Sequence, residues 1–306
     1  MNAPPEEAPA PIRWTVAELL QWTGGLFERL GFPTPRLDAE LLLAKALGTT
    51  RLGLYLAYER PADPQERACF RELVKRRSRR EPVAYLIGQR EFYSLSLEVT
   101  PAVLIPRPET EHLVEFAIDS LEGRSQDPTR LLDLGTGSGN IAIAVAANAP
   151  QVRVDAVDSS AAALEVARRN AVRHGVGERI VFHLGDLFRA LPPGSGPYFA
   201  ILSNPPYVSR HDFEELMDDV RLHEPREALC DLRTEEGDGL SFYRAMAAEG
   251  GAFLEDGGYF AVEVGAGQAG PVAEIFTAAG WNIHRRISDY SKIERVLVAG
   301  KPLEHP

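Results

Sequence analysis

Residues 203–207, Ser-Asn-Pro-Pro-Tyr, combine groups that could hold a flat polar group in place for a reaction. They follow the apolar run 198–202, which predicts a short buried strand. Because two consecutive prolines cannot continue a strand ladder or a helix interior, the chain must leave the sheet here in a stiff conformation. An amide, rigid backbone carbonyls and an aromatic ring are therefore expected at a strand's carboxyl end, where open α/β sheets bind ligands. A proline turn in which Asn204 caps its own backbone is the simpler alternative.

A glycine-rich turn at 133–139 separates the predicted strand 131–134 from a predicted helix at 140–147. Its glycines would let the backbone pass close to a ligand and present N–H groups at a helix N-terminus. Asp158 ends the next predicted strand, where a carboxylate can bind both hydroxyls of a ribose. The carboxylate of Asp133 suits a cationic ligand better than a pyrophosphate, although it could equally hydrogen-bond the turn. The candidate cofactor ligands of the turn are Asp133, Gly135, Thr136, Gly137, Ser138 and Gly139.

A third acidic residue, Asp186, follows the predicted strand 180–184. It could accept a hydrogen bond from an adenine amino group while Leu187 packs on the ring. From spacing alone, an ordinary turn aspartate is the better interpretation. Acidic residues at three strand ends, together with the glycine turn, favour S-adenosylmethionine over a phosphate-rich cofactor.

The elements that must position these residues form two contrasting patterns. From residue 130 onward strands and helices alternate, which predicts a doubly wound, mostly parallel α/β sheet closed by an antiparallel pair at 283–287 and 296–299. Residues 15–80 predict three helices, and the period-two pattern at 92–99 predicts a small hairpin. The predicted divisions are a disordered tail at 1–12, a helical recognition domain at 13–85, a β-hairpin linker at 86–106 and the α/β catalytic domain at 107–306.

Charge and composition restrict the class of partner. The 306 residues carry a net charge of −11. Residues 1–85 hold 13 basic and 11 acidic side chains, whereas the remainder holds 20 and 33. An acidic catalytic part argues against direct binding of a nucleic-acid backbone. Two cysteines, no metal-ligand spacing among the histidines and no apolar run long enough to span a bilayer predict a cytoplasmic protein with no metal and no membrane contact. We expect a monomer.

Residues 204–207 and the glycine turn together resemble the class I amino-methyltransferases, which methylate planar nitrogens in DNA or in protein glutamine. Further segments are similar to the release factor glutamine methyltransferase family; they are 36–43, 81–88, 90–93, 104–111 and 224–229. The resemblance spans about residues 15–300. This resemblance implies a Rossmann-like methyltransferase domain that uses S-adenosylmethionine. The implied substrate is the glutamine side-chain amide in the Gly-Gly-Gln motif of peptide-chain release factors.

The resemblance also implies roles for individual residues. The Asn204 side-chain oxygen and the Pro205 carbonyl would accept the two N–H bonds of the substrate amide. Tyr207 would pack against the amide or the cofactor, and Pro206 would keep the backbone rigid. Asn204, Pro205 and Tyr207 are the candidate catalytic residues, and residues 204–207 form the candidate substrate site. Asn204 is also a candidate cofactor-binding residue. Basic side chains lie at the end of the third predicted helix; they are Arg76, Arg77, Arg79 and Arg80. They would interact favourably with the dipole of that helix, or they could bind the body of the substrate protein.

Three other functions remain open. A ribosomal-protein glutamine methyltransferase would share the fold, but the segment 104–111 favours release factors. A DNA adenine methyltransferase would need a basic groove, which the acidic catalytic part does not supply. A catalytically inactive cofactor-binding module is disfavoured by the intact Asn204 and glycine turn.

The chain departs from the family pattern at two places. Residues 230–236 lengthen the loop before Gly237, and Lys292 stands where the family often has glycine. We expect an ion pair of Arg107 and Glu109 to brace the linker, and Glu263 to be a buried, paired carboxylate.

Overall fold

The structure, a computed structural model, describes residues 14–124 and 128–301. The predicted tail at 1–12 lies outside the described residues. The chain divides into two compact units, residues 1–87 and 88–306.

The first unit is helical. Its helices are α1 (Val16–Arg29), α2 (Pro35–Ala46), α3 (Arg51–Leu56), α4 (Pro64–Ser78) and α5 (Val83–Ile87). Thr15 opens α1 with a capping box, since its hydroxyl accepts from the Glu18 N–H and the Glu18 carboxylate accepts from the Thr15 N–H. The sequence predicted neither α3 nor α5. Helix α5 begins after Pro82, whose carbonyl accepts from the Tyr85 and Leu86 N–H groups.

Several arginines at the end of α4 contact other parts of the first unit. Arg77 is buried and donates to Asp38 at 2.8 Å, and Arg76 pairs with Glu81. Arg80 donates to the Leu30 carbonyl. Arg77 follows the buried positions Phe70, Leu73 and Val74 at helical spacing, so it belongs to the inward face of α4. Arg77 therefore belongs to the interior of the unit, whereas Arg76 and Arg79 are exposed.

The second unit contains a two-stranded hairpin and a seven-stranded sheet. The strands are β1 (Gln89–Phe92), β2 (Leu95–Glu98), β3 (Thr129–Leu134), β4 (Val152–Asp158), β5 (Ile180–Leu184), β6 (Tyr198–Ser203), β7 (Leu254–Glu263), β8 (Asn282–Ser288) and β9 (Glu294–Gly300). The large sheet has the order β5-β4-β3-β6-β7-β9-β8. Strands β3 to β7 are parallel, and β9 is antiparallel to both β7 and β8. The predicted doubly wound sheet with an antiparallel end is confirmed.

Helices cover both faces of the large sheet. The helices of the second unit are α6 (Glu111–Asp119), α7 (Asn140–Asn148), α8 (Ala161–Arg173), α9 (Arg210–Phe213), α10 (Asp218–Arg221), α11 (Arg226–Leu229), α12 (Ser241–Glu249) and α13 (Ala269–Ala278). Alternation along β6 divides the core. Ala200 and Leu202 pack with α6, α7 and α8, whereas Ile201 packs with α12 and α13. The chain moves outward from β3 through β4 to β5 and then returns to β6 on the other side of β3. The strand order thus reverses between β3 and β6, where such sheets bind ligands.

The hairpin packs within the second unit. Tyr93 and Ser94 form its turn with φ of 49° and 60°, as a two-residue type I′ turn requires. Phe92 and Leu97 are buried in the core. Asn170 of α8 binds the backbone of β2, because its Oδ1 accepts from the Glu98 N–H at 2.7 Å and its Nδ2 donates to the Glu98 carbonyl at 3.0 Å.

Candidate active site

The two predicted motifs meet where the strand order reverses. A Cβ on Gly135 would lie 3.9 Å from the Asn204 carbonyl oxygen. The Ser203 hydroxyl donates to the Leu134 carbonyl at 2.7 Å, which joins the ends of β3 and β6. A cleft of about 310 Å³ opens here; predicted residues on its wall are Gly135, Gly137, Asp158, Asp186, Leu187, Asn204 and Pro206.

The glycine turn brings backbone, and not its hydroxyl side chains, to the cleft. Gly135 and Gly137 line the wall, whereas Thr136 and Ser138 are buried. The Thr136 hydroxyl donates to Asp133 Oδ2 at 2.6 Å, so this side chain supports the turn from inside. Gly139 adopts a φ of 82°, and a Cβ there would lie 2.7 Å from Ile143 Cδ1. A side chain at 139 would therefore displace the Ile143 side chain and strain the backbone in this left-handed conformation.

Asp133 is a buried carboxylate beneath the turn. Burial raises its pKa to about 7, against the lowering effect of the Thr136 hydrogen bond. Its Oδ1 has no hydrogen-bond partner among the described residues. An orphaned carboxylate oxygen fits a cationic ligand that brings its own donor.

Asp158 combines a structural contact with a place on the cleft wall. Its Oδ2 accepts from the Gly137 N–H and its Oδ1 accepts from the Ser160 N–H, both at 2.8 Å. Burial raises the pKa of this carboxyl. Each carboxylate oxygen can accept a second hydrogen bond, so Asp158 can hold the turn and still bind two hydroxyls.

Asp186 has a partner that sequence reasoning missed. Arg233 forms an ion pair with it, and the Arg233 guanidinium lies 5.0 Å from the centre of the Phe242 ring. Phe242 and Leu187 both line the cleft. The only sequence signal was the lengthened loop at 230–236, which carries Arg233.

The proline motif is fixed from several directions. Asn204 Nδ2 donates to Thr110 Oγ1 at 3.1 Å. The Tyr207 hydroxyl donates to Glu263 Oε1 at 3.5 Å, and the Tyr207 main-chain carbonyl accepts from Gln268 Nε2 at 2.9 Å. Pro205 is buried, and neither it nor Tyr207 lies on the wall of the cleft. Asn204 and Pro206 do.

Glu263 is buried, as expected, and its hydrogen-bond partners are hydroxyl groups. It is 1% exposed, and its Oε2 accepts from the Thr110 hydroxyl at 2.5 Å. Among the described residues, its side-chain hydrogen bonds come from hydroxyls and not from a cation. Burial raises its pKa to about 7. On the neighbouring strand β9, Arg295 forms its ion pair with Asp289.

The segments at 104–111 and 224–229 are joined by a buried carboxylate. Glu224 accepts from Arg107 at 2.7 Å and from the Ile105 N–H at 3.0 Å. The prediction that Arg107 pairs with Glu109 is wrong, since Pro108 begins a 3₁₀ turn and Arg107 reaches Glu224 instead. Residues of both segments line the cleft; they are Leu104, Pro225, Glu227 and Ala228.

Fold and site together define a class. The human methyltransferase 10 domain containing protein has a similar fold, with a TM-score of 0.51 and 17% identity over 69% of this chain and 90% of its own. Residues 115–229 match the family model of the methyltransferase small domain, and residues 18–88 match that of the PrmC N-terminal domain. The sheet order, the glycine turn and the acidic strand ends make this chain a class I methyltransferase with an added helical unit.

Curated relatives identify the family. A release factor glutamine methyltransferase of Rhodopirellula baltica is 42% identical over 290 residues, which cover 93% of this chain and 95% of the relative. One of Geobacter sulfurreducens is 41% identical over 287 residues, which cover 94% and 97%. The chain belongs to the release factor glutamine methyltransferase family. Over the described residues, its helices are too short or too polar to cross a membrane.

Proposed function

We propose that this protein transfers a methyl group from S-adenosylmethionine to a glutamine side-chain amide in the Gly-Gly-Gln motif of peptide-chain release factors. The observation that carries the proposal is the juxtaposition of Asn204 with the glycine turn at one end of the sheet. Family membership supports the choice of substrate.

The cofactor that the family implies fits the residues present. The orphaned Asp133 oxygen needs a donor that a cationic amino acid moiety would bring. Asp158 lies on the cleft wall with acceptor capacity for ribose hydroxyls, and Leu187 offers an apolar surface for a base. Asp186 would share its carboxylate between Arg233 and an adenine amino group. When bound, S-adenosylmethionine supplies a methyl carbon that its sulfonium makes electrophilic.

The residues of the motif would supply alignment and polarisation. A glutamine amide nitrogen is a poor nucleophile because its lone pair is delocalised into the carbonyl. Asn204 Oδ1 and the Pro205 carbonyl accept its two N–H bonds and fix the nitrogen for attack. Holding reactants in such a geometry contributes on the order of 7–11 kcal/mol. The stiff prolines and the anchored Tyr207 keep these acceptors in place.

The substrate is a protein that acts in translation, so we propose that the enzyme works in the cytoplasm as a monomer, without direct nucleic-acid contact. The excess of acidic residues after position 85 supports the last point.

A substrate panel tests this proposal. The full chain is incubated with methyl-labelled S-adenosylmethionine and, separately, with purified release factor, ribosomes or duplex DNA. Label should enter the release factor, and a variant factor with its Gly-Gly-Gln glutamine changed to alanine should stay unlabelled. Preferential label in a ribosomal protein or in DNA would overturn the proposed substrate.

A further inference from the structure

A buried hydrogen-bond chain runs from the proline motif to the end of β7. Asn204 Nδ2 donates to Thr110 Oγ1 at 3.1 Å, and Thr110 Oγ1 donates to Glu263 Oε2 at 2.5 Å. Thr110 is 0% exposed and Glu263 is 1% exposed, so water does not compete with these contacts. The proposed reaction uses Asn204 but assigns no role to the other two residues.

We propose that Thr110 and Glu263 are positioning residues that fix the orientation of the Asn204 amide, so that its oxygen and not its nitrogen faces the substrate glutamine. This inference rests on the proposed function. It adds the hydrogen bonds that make the Asn204 side chain present an acceptor to the substrate.

The polarity of the chain follows from donor and acceptor capacity. An ionised carboxylate only accepts, so Glu263 takes the single proton of the Thr110 hydroxyl. Thr110 Oγ1 can then only accept from Asn204. The Asn204 amide must turn its NH₂ group toward Thr110, which leaves Oδ1 on the opposite side, toward the cleft that Asn204 lines.

Protonation of Glu263 would reverse this polarity. A protonated carboxyl can donate to Thr110, whose hydroxyl is then free to donate to Asn204 Oδ1. The amide could rotate and present its NH₂ group to the N–H bonds of the substrate, where two donors repel.

The surroundings of Glu263 place this change within reach of ordinary pH. Burial raises the pKa of Glu263 to about 7, and the neighbouring Glu109 raises it as well, whereas the Thr110 hydrogen bond, Arg295 and the Tyr207 hydroxyl lower it. The Tyr243 hydroxyl faces the same residue but donates to its main-chain carbonyl at 2.7 Å. The ionised form, which holds Asn204 in the acceptor orientation, is favoured above this pKa.

Two variants at Thr110 separate hydrogen bonding from packing. Thr110→Val keeps the shape and removes the hydroxyl, and Thr110→Ser keeps the hydroxyl. With saturating cofactor and release factor, Thr110→Val should lower kcat about tenfold or more, with the Kd for S-adenosylmethionine changed by less than about twofold. Thr110→Ser should restore most of kcat. An unchanged kcat in Thr110→Val, or an equal loss in both variants, would overturn the inference.

Glu263→Gln tests the role of charge, since glutamine can donate or accept. The wild-type kcat should fall as pH drops through about 7, and Glu263→Gln should have a low kcat without this step. Measuring kcat at saturating cofactor excludes Asp133, whose titration would act on cofactor binding. If kcat of Glu263→Gln falls with decreasing pH as steeply as kcat of the wild-type enzyme, the inference is overturned. If the wild-type enzyme fails to methylate the release factor, the proposed function fails instead, so the two failures are distinguishable.

Discussion

At the scale of single residues, Asp158 holds the glycine turn through the Gly137 N–H and lies on the wall of the cleft. Under the proposed function, its remaining acceptor capacity binds the ribose of the cofactor. Asp158→Ala should weaken binding of S-adenosylmethionine by about tenfold or more, since a buried charge-assisted contact is lost. Isothermal titration calorimetry measures this directly.

The matched control is Asp256→Ala, which removes an exposed carboxylate on β7 outside the cleft. It should leave the affinity unchanged. If Asp158→Ala binds S-adenosylmethionine as tightly as Asp256→Ala does, Asp158 does not bind the ribose.

Asp133 should make cofactor binding depend on pH. Burial raises its pKa to about 7, so the carboxyl gains a proton as pH falls through that value. A cationic ligand favours the ionised carboxylate, and its affinity should therefore weaken toward acid pH. Calorimetry of S-adenosylmethionine binding on both sides of neutrality measures the trend. Asp133→Asn should bind weakly with little pH dependence; a steep dependence in that variant would assign the effect to another group.

The candidate residues chosen from the sequence include seven that line the cleft, but their partners were not predicted. Gly135, Asp158 and Asn204 could be found because each follows a predicted strand, and parallel strand ends meet at one edge. Arg233 could not be predicted as a site residue, because its ion pair with Asp186 depends on the path of an irregular loop. The contact between Thr110 and Glu263 was not predicted either, since the two residues are 153 positions apart.

At the scale of elements, periodicity predicted the strands well and the short helices poorly. The run 198–202 became β6 because apolar side chains fill both faces of a central strand. Helices α3 and α5 have 6 and 5 residues, too few to show a repeating apolar stripe. The burial of Arg77 was not predicted, because a charged side chain is expected at the surface. In the structure, its charge is compensated by the buried Asp38.

Lys292 adopts a φ of 66° in the turn between β8 and β9. A side chain costs about 1–2 kcal/mol in this left-handed conformation, more than the entropy that glycine adds to the unfolded chain. Lys292→Gly should therefore raise the melting temperature by roughly 1–3 °C. Differential scanning calorimetry provides the measurement. Lys292→Ala keeps a Cβ and should give no gain, so an equal rise in both variants would refute the explanation by backbone strain.

At the scale of the whole molecule, each of the two units has its own hydrophobic core. Leu20, Phe27 and Leu42 belong to the core of the first unit, whereas the seven-stranded sheet carries that of the second. Every residue lining the candidate cofactor cleft belongs to the second unit. A fragment of residues 88–306 should therefore melt cooperatively and bind S-adenosylmethionine within about threefold of the full chain.

Calorimetry of the fragment beside the full chain makes that comparison. A fragment that melts cooperatively yet fails to bind the cofactor would contradict the assignment of the cleft to the second unit alone. We expect it to methylate intact release factor less efficiently than the full chain, because the helical unit is the proposed recognition domain.

The most direct test of the central claim, that Asn204 aligns the substrate amide, compares turnover with cofactor binding in one variant. Asn204→Ala is assayed for methyl transfer to release factor and for the Kd of S-adenosylmethionine. The account predicts a loss of kcat of about 100-fold or more, with the Kd changed only a few fold, since the Asn204 side chain acts on the substrate in the transition state. Equal losses of turnover and cofactor affinity, or near-normal turnover, would contradict it.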